Sequence, residues 1–278
     1  MPIITISRGS YSRGKAVAEK LAGKLGYECL SREILLEASD EFNISEIKLI
    51  RALHDAPTIL DRFNHGKERF VAYIRSALLN HTVKDNMVYH GLAGHYLLKD
   101  VSHVLKVRIL ANMEDRIQEE MRRENISEQE AYAILKKDDE ERRKWGLNIY
   151  GVDTKDSSLY DIVLHLDKMT VEDAVDTLYC LAQKKTFAAT PDSLKKIKDM
   201  ALSAKVKAQL IEYIQSIDVT SDEGIVSIST VDKNRAVEAN TIESLYDISS
   251  KIEGVKEVHI HLTSMKKKPD HINPFYNM

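Results

Sequence analysis

The chain opens with an apolar run, a loop bounded by glycines and a helical pattern. Residues 3–7 read Ile-Ile-Thr-Ile-Ser, residues 9–16 read Gly-Ser-Tyr-Ser-Arg-Gly-Lys-Ala, and residues 17–21 favour a helix. The loop has the spacing G-x-x-x-x-G-K of a phosphate-binding P-loop, in which backbone N–H groups turn toward phosphate oxygens. A helix N-terminus adds partial positive charge to such a loop. The sequence therefore predicts an anion site at this point, and a plain turn is the alternative interpretation.

The predicted phosphate site includes most of this loop. We expect contacts to phosphate from Gly9, Ser10, Ser12, Arg13, Gly14, Lys15 and Ala16. Lys15 would reach the outer phosphates. Ala16 stands where such loops carry a Ser or Thr hydroxyl that binds Mg²⁺. We therefore expect the loop to hold phosphate and assign it no metal ligand.

Length, charge and cysteine content narrow the class of protein. The 278 residues suit one large or two medium domains, and 43% hydrophobic with 30% charged residues favours a soluble, folded chain. A net charge of −3 gives no bulk reason to bind nucleic acid or an anionic membrane. Cys29 and Cys180 lack metal-ligand spacing. No apolar run approaches the ~20 residues that span a bilayer, and no leader pattern is present. We expect a cytoplasmic protein.

Strand and helix patterns alternate through residue 185, which predicts an α/β fold. Strand-like segments follow the first one at residues 26–30, 86–91, 101–110 and 160–166. Capping boxes, Ser127 with Glu130 and Thr170 with Asp173, mark two helix starts. Such alternation favours a parallel sheet with helices on its faces.

The pattern changes after a segment of small and polar residues at 186–193, which we interpret as a linker. Residues 194–265 predict the order α-β-β-α-β, enough for a small second domain. Residues 266–278 are polar and predict a flexible tail.

Residues 1 to about 185 resemble the cytidylate kinase-like family of P-loop nucleoside monophosphate kinases. The blocks that carry this resemblance are residues 4–8, Ser12 with Gly14 and Lys15, residues 18–22, Arg32-Glu33-Ile34, residues 124–128, Asp139 with Arg142, and Tyr160-Asp161. The resemblance implies a central five-stranded parallel sheet. It also implies transfer of the terminal phosphoryl group of ATP to a nucleoside monophosphate, with Mg²⁺ present.

The resemblance also implies roles for individual residues. Lys15 and Arg142 are the catalytic candidates, Lys15 on the β- and γ-phosphates and Arg142 closing from a mobile lid over the transferred group. Arg143 is a second lid arginine, and Asp139 would orient Arg142 through an i,i+3 pair. Arg32 would face the acceptor nucleotide.

Several positions depart from the family pattern. Tyr11 and Arg13 are bulky where small residues let the backbone approach phosphate, and Ser31 stands in place of an aspartate. At the end of the third strand, Gly91-Leu92 replaces a Gly-Arg pair, which removes a guanidinium from the acceptor side. Together with Ala16 and the lack of an acidic residue at that strand end, these departures suggest reduced or lost kinase activity.

Residues 194–265 resemble a BON domain, a small α/β fold of proteins that bind ligands or lipid surfaces. The likeness is carried by residues 204–207, 224–228 and 252–258 and concerns mostly structural positions. His259 and His261 share one face of the last strand, either as a solvent-facing pair or as two ligands of a metal. His90 could contact a phosphate or hold a strand end.

Three functions stay open at this point. The first is a nucleoside monophosphate kinase that uses ATP. The second is a catalytically weakened nucleotide sensor that signals through the C-terminal domain, and the third is an assembly subunit with a vestigial P-loop. The charged run at residues 136–143 fits a lid or a solvated helix face equally well. The partner is a nucleotide in the first two cases, and the sequence gives no oligomeric state.

Overall fold

The computed structural model describes residues 2–9, 12–31, 33–44, 66–91, 93–214, 217–232 and 239–264. The five strands of its larger sheet are β1 (Ile3–Arg8), β2 (Glu28–Leu30), β3 (Met87–Tyr89), β4 (Val104–Ala111) and β5 (Ile162–Leu166). The helices between and after them are α1 (Gly14–Leu25), α2 (Glu33–Glu41), α3 (Gly66–Thr82), α4 (Gly94–Leu97), α5 (Met113–Glu124), α6 (Glu128–Tyr150) and α7 (Val171–Ala182). These elements confirm the predicted alternation of strand and helix.

The larger sheet has the order β2-β3-β1-β4-β5, and each of its strand pairs is parallel. Strand β1 is central, and Ile3, Ile4 and Ile6 are almost completely buried. Side chains on both faces of β1 are therefore buried, as is usual for a parallel sheet with helices on both sides. The predicted α/β fold with a parallel five-stranded sheet is confirmed.

Helices pack on both faces of this sheet. On one face, Ile4 and Ile6 join residues of α1 and α7, such as Leu21 and Leu178, in one hydrophobic core. On the other face, Ile3 joins residues of α3 in a second core. At the carboxyl ends of the parallel strands, the segments that follow β1 and β3 contribute to the site described below.

Both predicted capping boxes are present. The Ser127 side chain accepts from the backbone N–H of Glu130, and the Glu130 carboxylate accepts from the backbone N–H of Ser127. Thr170 and Asp173 form the same reciprocal pair at the start of α7. Satisfying these N–H groups fixes where α6 and α7 begin.

The second part of the chain has the predicted order α-β-β-α-β. It consists of α8 (Pro191–Leu210), β6 (Ile217–Asp222), β7 (Ile225–Asp232), α9 (Ala239–Ser250) and β8 (Glu257–Ser264). Strand β7 lies between β6, its antiparallel neighbour, and β8, its parallel neighbour. The likeness to a BON domain stays a prediction, and the predicted tail lies outside the described residues.

Helix α8 belongs to two cores. Ile197, Ala204 and Ala208 pack with the core of the first part, whereas Val206 and Leu210 pack with the second sheet. The segment predicted as a linker contains the end of a 3₁₀ turn (Lys185–Phe187) and the first residues of α8. The division of the chain into two domains at residue 185 stays a prediction. The packing shows that helix α8 contributes side chains to the cores of both parts.

Within the residues that the structure describes, no helix combines the length and apolarity needed to cross a bilayer.

Candidate active site

The predicted phosphate loop connects the end of β1 to the start of α1. The backbone N–H of Ser12 and its hydroxyl both bond to the carbonyl oxygen of Gly9, at 3.4 and 3.0 Å. Arg13 has the left-handed backbone conformation, with φ of 61°, and directly precedes α1. Ser10 and Tyr11 lie outside the described residues, so the contact that we expected from Ser10 stays a prediction.

Gly14 is fixed by close packing between the loop and the strand before it. A Cβ atom at this position would lie 2.8 Å from the Cβ of Arg8, a distance that side chains do not tolerate. A Cβ at Gly9 would lie 3.4 Å from the guanidinium of Arg116. The close approach thus explains the glycine at position 14, whereas at Gly9 a Cβ would make an ordinary van der Waals contact.

The start of α1 leaves backbone donors available. The first N–H groups of any α-helix lack partners within the helix, and Arg13 supplies no side-chain cap here. Gly14, Lys15 and Ala16 contribute these first amides. Lys15 is largely exposed, and its ammonium forms an i,i+4 ion pair with Glu19 at 3.6 Å.

A cavity of about 410 Å³ lies beside this loop, at the carboxyl ends of the strands. Its walls include the end of β1, α2, the segment after β3, β4 and the helices α4, α5 and α6. The apolar part of the lining includes Leu35, Tyr89, Tyr96, Leu110 and Trp145. A cleft at this edge of an open parallel sheet is the usual place for a ligand.

The cavity is strongly cationic. Among the lining residues that the structure describes, one is a carboxylate, Asp139, and five are cations: Arg8, Arg108, Arg116, Arg142 and Lys155. Excess positive charge in a partly closed cleft concentrates anions. The electrostatics therefore favour a ligand that carries several negative charges.

Arg116 and Asp139 form a bidentate ion pair across two helices. The two guanidinium nitrogens of Arg116 on α5 donate to the two carboxylate oxygens of Asp139 on α6 at 2.8 and 2.9 Å. The Arg116 side chain is only 9% exposed. The Asp139 carboxylate therefore binds the facing helix α5, and the expected pair of Asp139 with Arg142 stays a prediction. The Arg116–Asp139 pair holds α6, which carries Arg142, against α5.

The two predicted lid arginines lie in different surroundings. Arg142 lines the cavity. Arg143 does not, since its Nε donates to Asp153 at 2.7 Å and its Nη1 lies 3.5 Å from Glu140. A backbone hydrogen bond from Lys155, followed by the Arg143 interaction, lowers the pKa of Asp153.

On the acceptor side, the structure describes part of what was expected. Ser31 and Gly91 line the cavity, and Ser31 donates its backbone N–H to the Glu33 carboxylate at 2.7 Å. Arg32 and Leu92 lie outside the described residues. His90 also lines the cavity and is buried, and burial, followed by the nearby Arg8 cation, lowers its pKa.

Sequence reasoning did not find a polar network around Tyr160. The phenol oxygen accepts from Nη1 of Arg108 at 3.0 Å and donates to the carbonyl oxygen of Thr154 at 3.0 Å. Nε2 of His95 and the hydroxyl of Ser7 each lie 3.4 Å from the same oxygen. The signal in the sequence that could have indicated this network is Arg108, a charged residue between the apolar Val107 and Ile109 of a predicted strand.

The comparisons with known proteins agree with this geometry. A family model described as "Cytidylate kinase-like family" matches residues 3–168, more than half of the chain. The chain belongs to the cytidylate kinase-like family. The match includes the phosphate loop, both sides of the cavity and the helices that carry Arg116, Asp139 and Arg142.

Relatives in this family are moderately similar. A cytidylate kinase of Thermococcus sibiricus is 35% identical over 101 residues, which cover 34% of this chain and 51% of that protein. A cytidylate kinase of Sulfolobus acidocaldarius is 26% identical over 183 residues, covering 66% of this chain and 94% of that protein. The chain spans about half the length of several curated relatives that it matches.

One solved structure supports the fold. The crystal structure of an uncharacterized protein from Eubacterium ventriosum has a TM-score of 0.51 and 21% identity, and the match covers 66% of this chain and all of that one. The family match ends at residue 168. The residues after it include those of the second sheet.

Proposed function

We propose that this protein is a nucleotide kinase that transfers the terminal phosphoryl group of ATP to a nucleoside monophosphate. The observation that carries the proposal is the placement of the phosphate loop at the edge of the cationic cavity. Gly9 belongs to the loop and also lines the cavity. Two phosphorylated ligands could therefore approach each other at this point.

In this proposal, ATP binds through the loop. The first amides of α1 and the ammonium of Lys15 contact the phosphates, with further contacts from Gly9, Ser10, Ser12, Arg13, Gly14 and Ala16. The exposed position of Lys15 suits this role, because its ion pair with Glu19 lies on the surface and is easily exchanged.

The acceptor binds in the cavity, where its phosphate oxygen attacks the terminal phosphorus of ATP. The bond between that phosphorus and the bridging oxygen breaks, so the products are ADP and a nucleoside diphosphate. Proteins promote this transfer mainly by positioning and by neutralising phosphate charge. Arg142 would neutralise the transferred group, and Arg32 would contact the acceptor. Arg143, the second expected lid arginine, is bound to Asp153 outside the cavity.

The Arg116–Asp139 pair contributes by positioning. It joins α5 to α6 at the cavity wall, and so it sets the place of the segment that carries Arg142. Asp139 is thus proposed as a positioning residue for the lid helix as a whole.

Mg²⁺ would enter this site mainly on the nucleotide. Ala16 has no side-chain oxygen, and Asp139 is occupied by Arg116. Among the described residues, no group of three or more His, Cys, Asp or Glu side chains could hold a metal ion. This donor set fits Mg²⁺ bound by phosphate oxygens and water, where it would neutralise phosphate charge.

A coupled assay of ADP release tests the proposal. Purified, folded protein should release ADP from ATP in the presence of at least one of CMP, UMP, AMP and GMP, above the rate with ATP alone. Turnover at background with every monophosphate would reject the kinase proposal. The alternative of a nucleotide sensor without activity receives no support from the comparisons, and the same result with intact ATP binding would revive it.

A further inference from the structure

We infer that Arg108 binds the phosphate group of the acceptor nucleotide and is held in place for this by Tyr160. The inference rests on the proposed function and adds a binding residue on β4 to it. The observation behind it is the difference between Arg108, which bonds to a neutral phenol, and the nearby Lys106 and Arg116, which pair with carboxylates.

Arg108 has a neutral partner, whereas Lys106 on the same strand and Arg116 in the same cavity are paired with carboxylates. Its guanidinium donates a hydrogen bond to the Tyr160 hydroxyl at 3.0 Å and lies 5.3 Å from the centre of the Tyr160 ring. Among the described residues, no carboxylate lies within 4 Å of its guanidinium, whereas Lys106 on the same strand lies 3.7 Å from Asp161. A guanidinium is always charged in proteins. The positive charge of Arg108 is therefore left for a ligand to neutralise.

The surroundings of Arg108 are positive and partly closed. His95, which is buried beside it, is kept neutral by burial and by the Arg108 and Lys106 cations. A guanidinium has five N–H donors, and Tyr160 accepts from one of its nitrogens, so most donors remain for a phosphate. Guanidinium groups bind phosphate through two parallel hydrogen bonds, which gives both strength and orientation.

The position of Arg108 selects the acceptor rather than ATP. Arg108 lines the cavity together with Ser31 and Gly91 of the acceptor side, whereas Lys15 of the ATP loop does not line it. In the strand register, Arg108 lies directly opposite Ser7 on β1, just before the loop begins. A phosphate bound by Arg108 would thus lie between the loop and the acceptor side of the cavity.

The geometry also offers a replacement for a missing group. The sequence has Leu92 where the resemblance implies an acceptor-side arginine, and Arg108 supplies a guanidinium to the cavity from β4. In this inference, Arg108 supplies the positive charge that an arginine at position 92 would supply in the family pattern.

The test compares Arg108→Gln and Arg108→Lys with wild type, and uses Lys106→Gln as the control. Lys106→Gln removes one positive charge from the same strand, but this side chain is bound to Asp161 and does not line the cavity. Calorimetry without ATP measures the Kd of CMP, UMP, AMP, GMP and the nucleoside cytidine. The steady-state assay measures KM for the monophosphate and for ATP, and a thermal melt checks folding.

We expect Arg108→Gln to raise the Kd and KM of the monophosphate by roughly 30-fold, the loss of a hydrogen-bonded charge. KM for ATP should change by less than about twofold, and cytidine binding should not change, since neither involves the acceptor phosphate. Arg108→Lys, which keeps the charge without the paired donors, should lie between. Tyr160→Phe should raise the monophosphate Kd to a smaller extent, by about threefold to tenfold, because it frees the guanidinium.

The outcomes separate this inference from the kinase proposal. If wild type binds a monophosphate without turnover and Arg108→Gln weakens this binding, the kinase proposal is rejected and the inference is supported. Turnover with an unchanged monophosphate Kd in Arg108→Gln overturns the inference and leaves the kinase proposal standing. Equal weakening of CMP and cytidine, or no wild-type binding of any monophosphate, also overturns it. If Arg108→Gln does not fold, Arg108→Lys decides by the same criteria.

Discussion

The phosphate loop and the cationic cavity beside it are built in different ways. The loop is one continuous stretch, held by backbone hydrogen bonds and by close packing at Gly14, and its lysine is exposed. The cavity is assembled from separate segments, and its groups are fixed by side-chain pairs such as Arg116 with Asp139. A loop of this kind supplies a general contact for phosphate. Under the proposed kinase function, the choice of acceptor and the rate would depend on the assembled side chains, and we expect these to be more sensitive to single substitutions.

The largest expected effect comes from the cavity. Arg142→Ala should lower kcat by about 10³-fold, because it removes the cation proposed to neutralise the transferred group. Lys144→Ala on the same helix, whose side chain pairs with Glu140 outside the cavity, should change kcat by less than about threefold. Steady-state kinetics on both variants gives the comparison. An equal loss in the two variants would mean that α6 acts through its overall charge and not through Arg142.

The next effect belongs to the loop. Lys15→Ala should lower kcat/KM for ATP by about 10²-fold, since a phosphate contact is lost. Its thermal midpoint should be unchanged, because the exposed Lys15–Glu19 pair contributes at most about 1 kcal/mol. Lys20→Ala, also on α1 and paired with Glu172, is the matched control. Unchanged ATP binding in Lys15→Ala would contradict the assignment of the loop.

The buried side of the cavity should respond to pH. Burial, with smaller contributions from the Arg108 and Lys106 cations, lowers the pKa of His95 to about 3, against 6.5 for a free histidine. The unfolded chain therefore takes up a proton at this residue as the pH falls below 6.5, while the folded chain does not. Stability is fully present above that pH and is lost as the pH falls toward 3.

We expect the free energy of unfolding to fall by about 1 kcal/mol from this histidine between pH 7.5 and 5.5. His95→Gln should show a correspondingly smaller fall, and His165→Gln, at an exposed position on β5, should behave as wild type. Urea denaturation at the two pH values measures this. Parallel losses in wild type and His95→Gln would remove His95 as the cause.

The smallest effect should come from Glu19 on α1, which pairs with the loop residue Lys15. Glu19→Gln removes the ion pair of Lys15 and should change stability by less than about 0.5 kcal/mol. KM for ATP should change by less than about threefold, because the lysine is already free to move to a phosphate. A tenfold change in KM, measured by the coupled assay, would show that Glu19 holds Lys15 in its working position.

Local sequence patterns predicted the fold well because they act over short distances. The apolar strands, the alternation of elements and both capping boxes depend on residues within a few positions of each other. The last strand of the larger sheet was predicted from Tyr160, but β5 begins at Ile162. Tyr160 is drawn into the cavity network, and the Asp161 carboxylate accepts from the backbone N–H of Lys106 at 2.7 Å.

The parts of the candidate site that consist of residues close in sequence were predictable. The contacts between residues far apart in sequence were not. The loop residues and Arg142 could be named from spacing and resemblance. Arg116 lies in a helix in which most side chains are charged, so nothing in the sequence marks it as the partner of Asp139. Arg108 and Tyr160 come together because β4 and β5 are neighbours in the sheet. The order of the strands in the sheet was not predicted from the sequence.

Helix α8 has a consequence for how such a protein can be divided or can evolve. A chain ending at residue 185 would lack Ile197, Ala204, Ala208 and Ile211, which form part of the wall of the first core. Removing the last third of the chain would uncover an apolar surface on the part that contains the larger sheet and promote self-association. A lineage could therefore discard the second sheet without damage only by keeping this one helix, or by supplying another segment that shields the same surface.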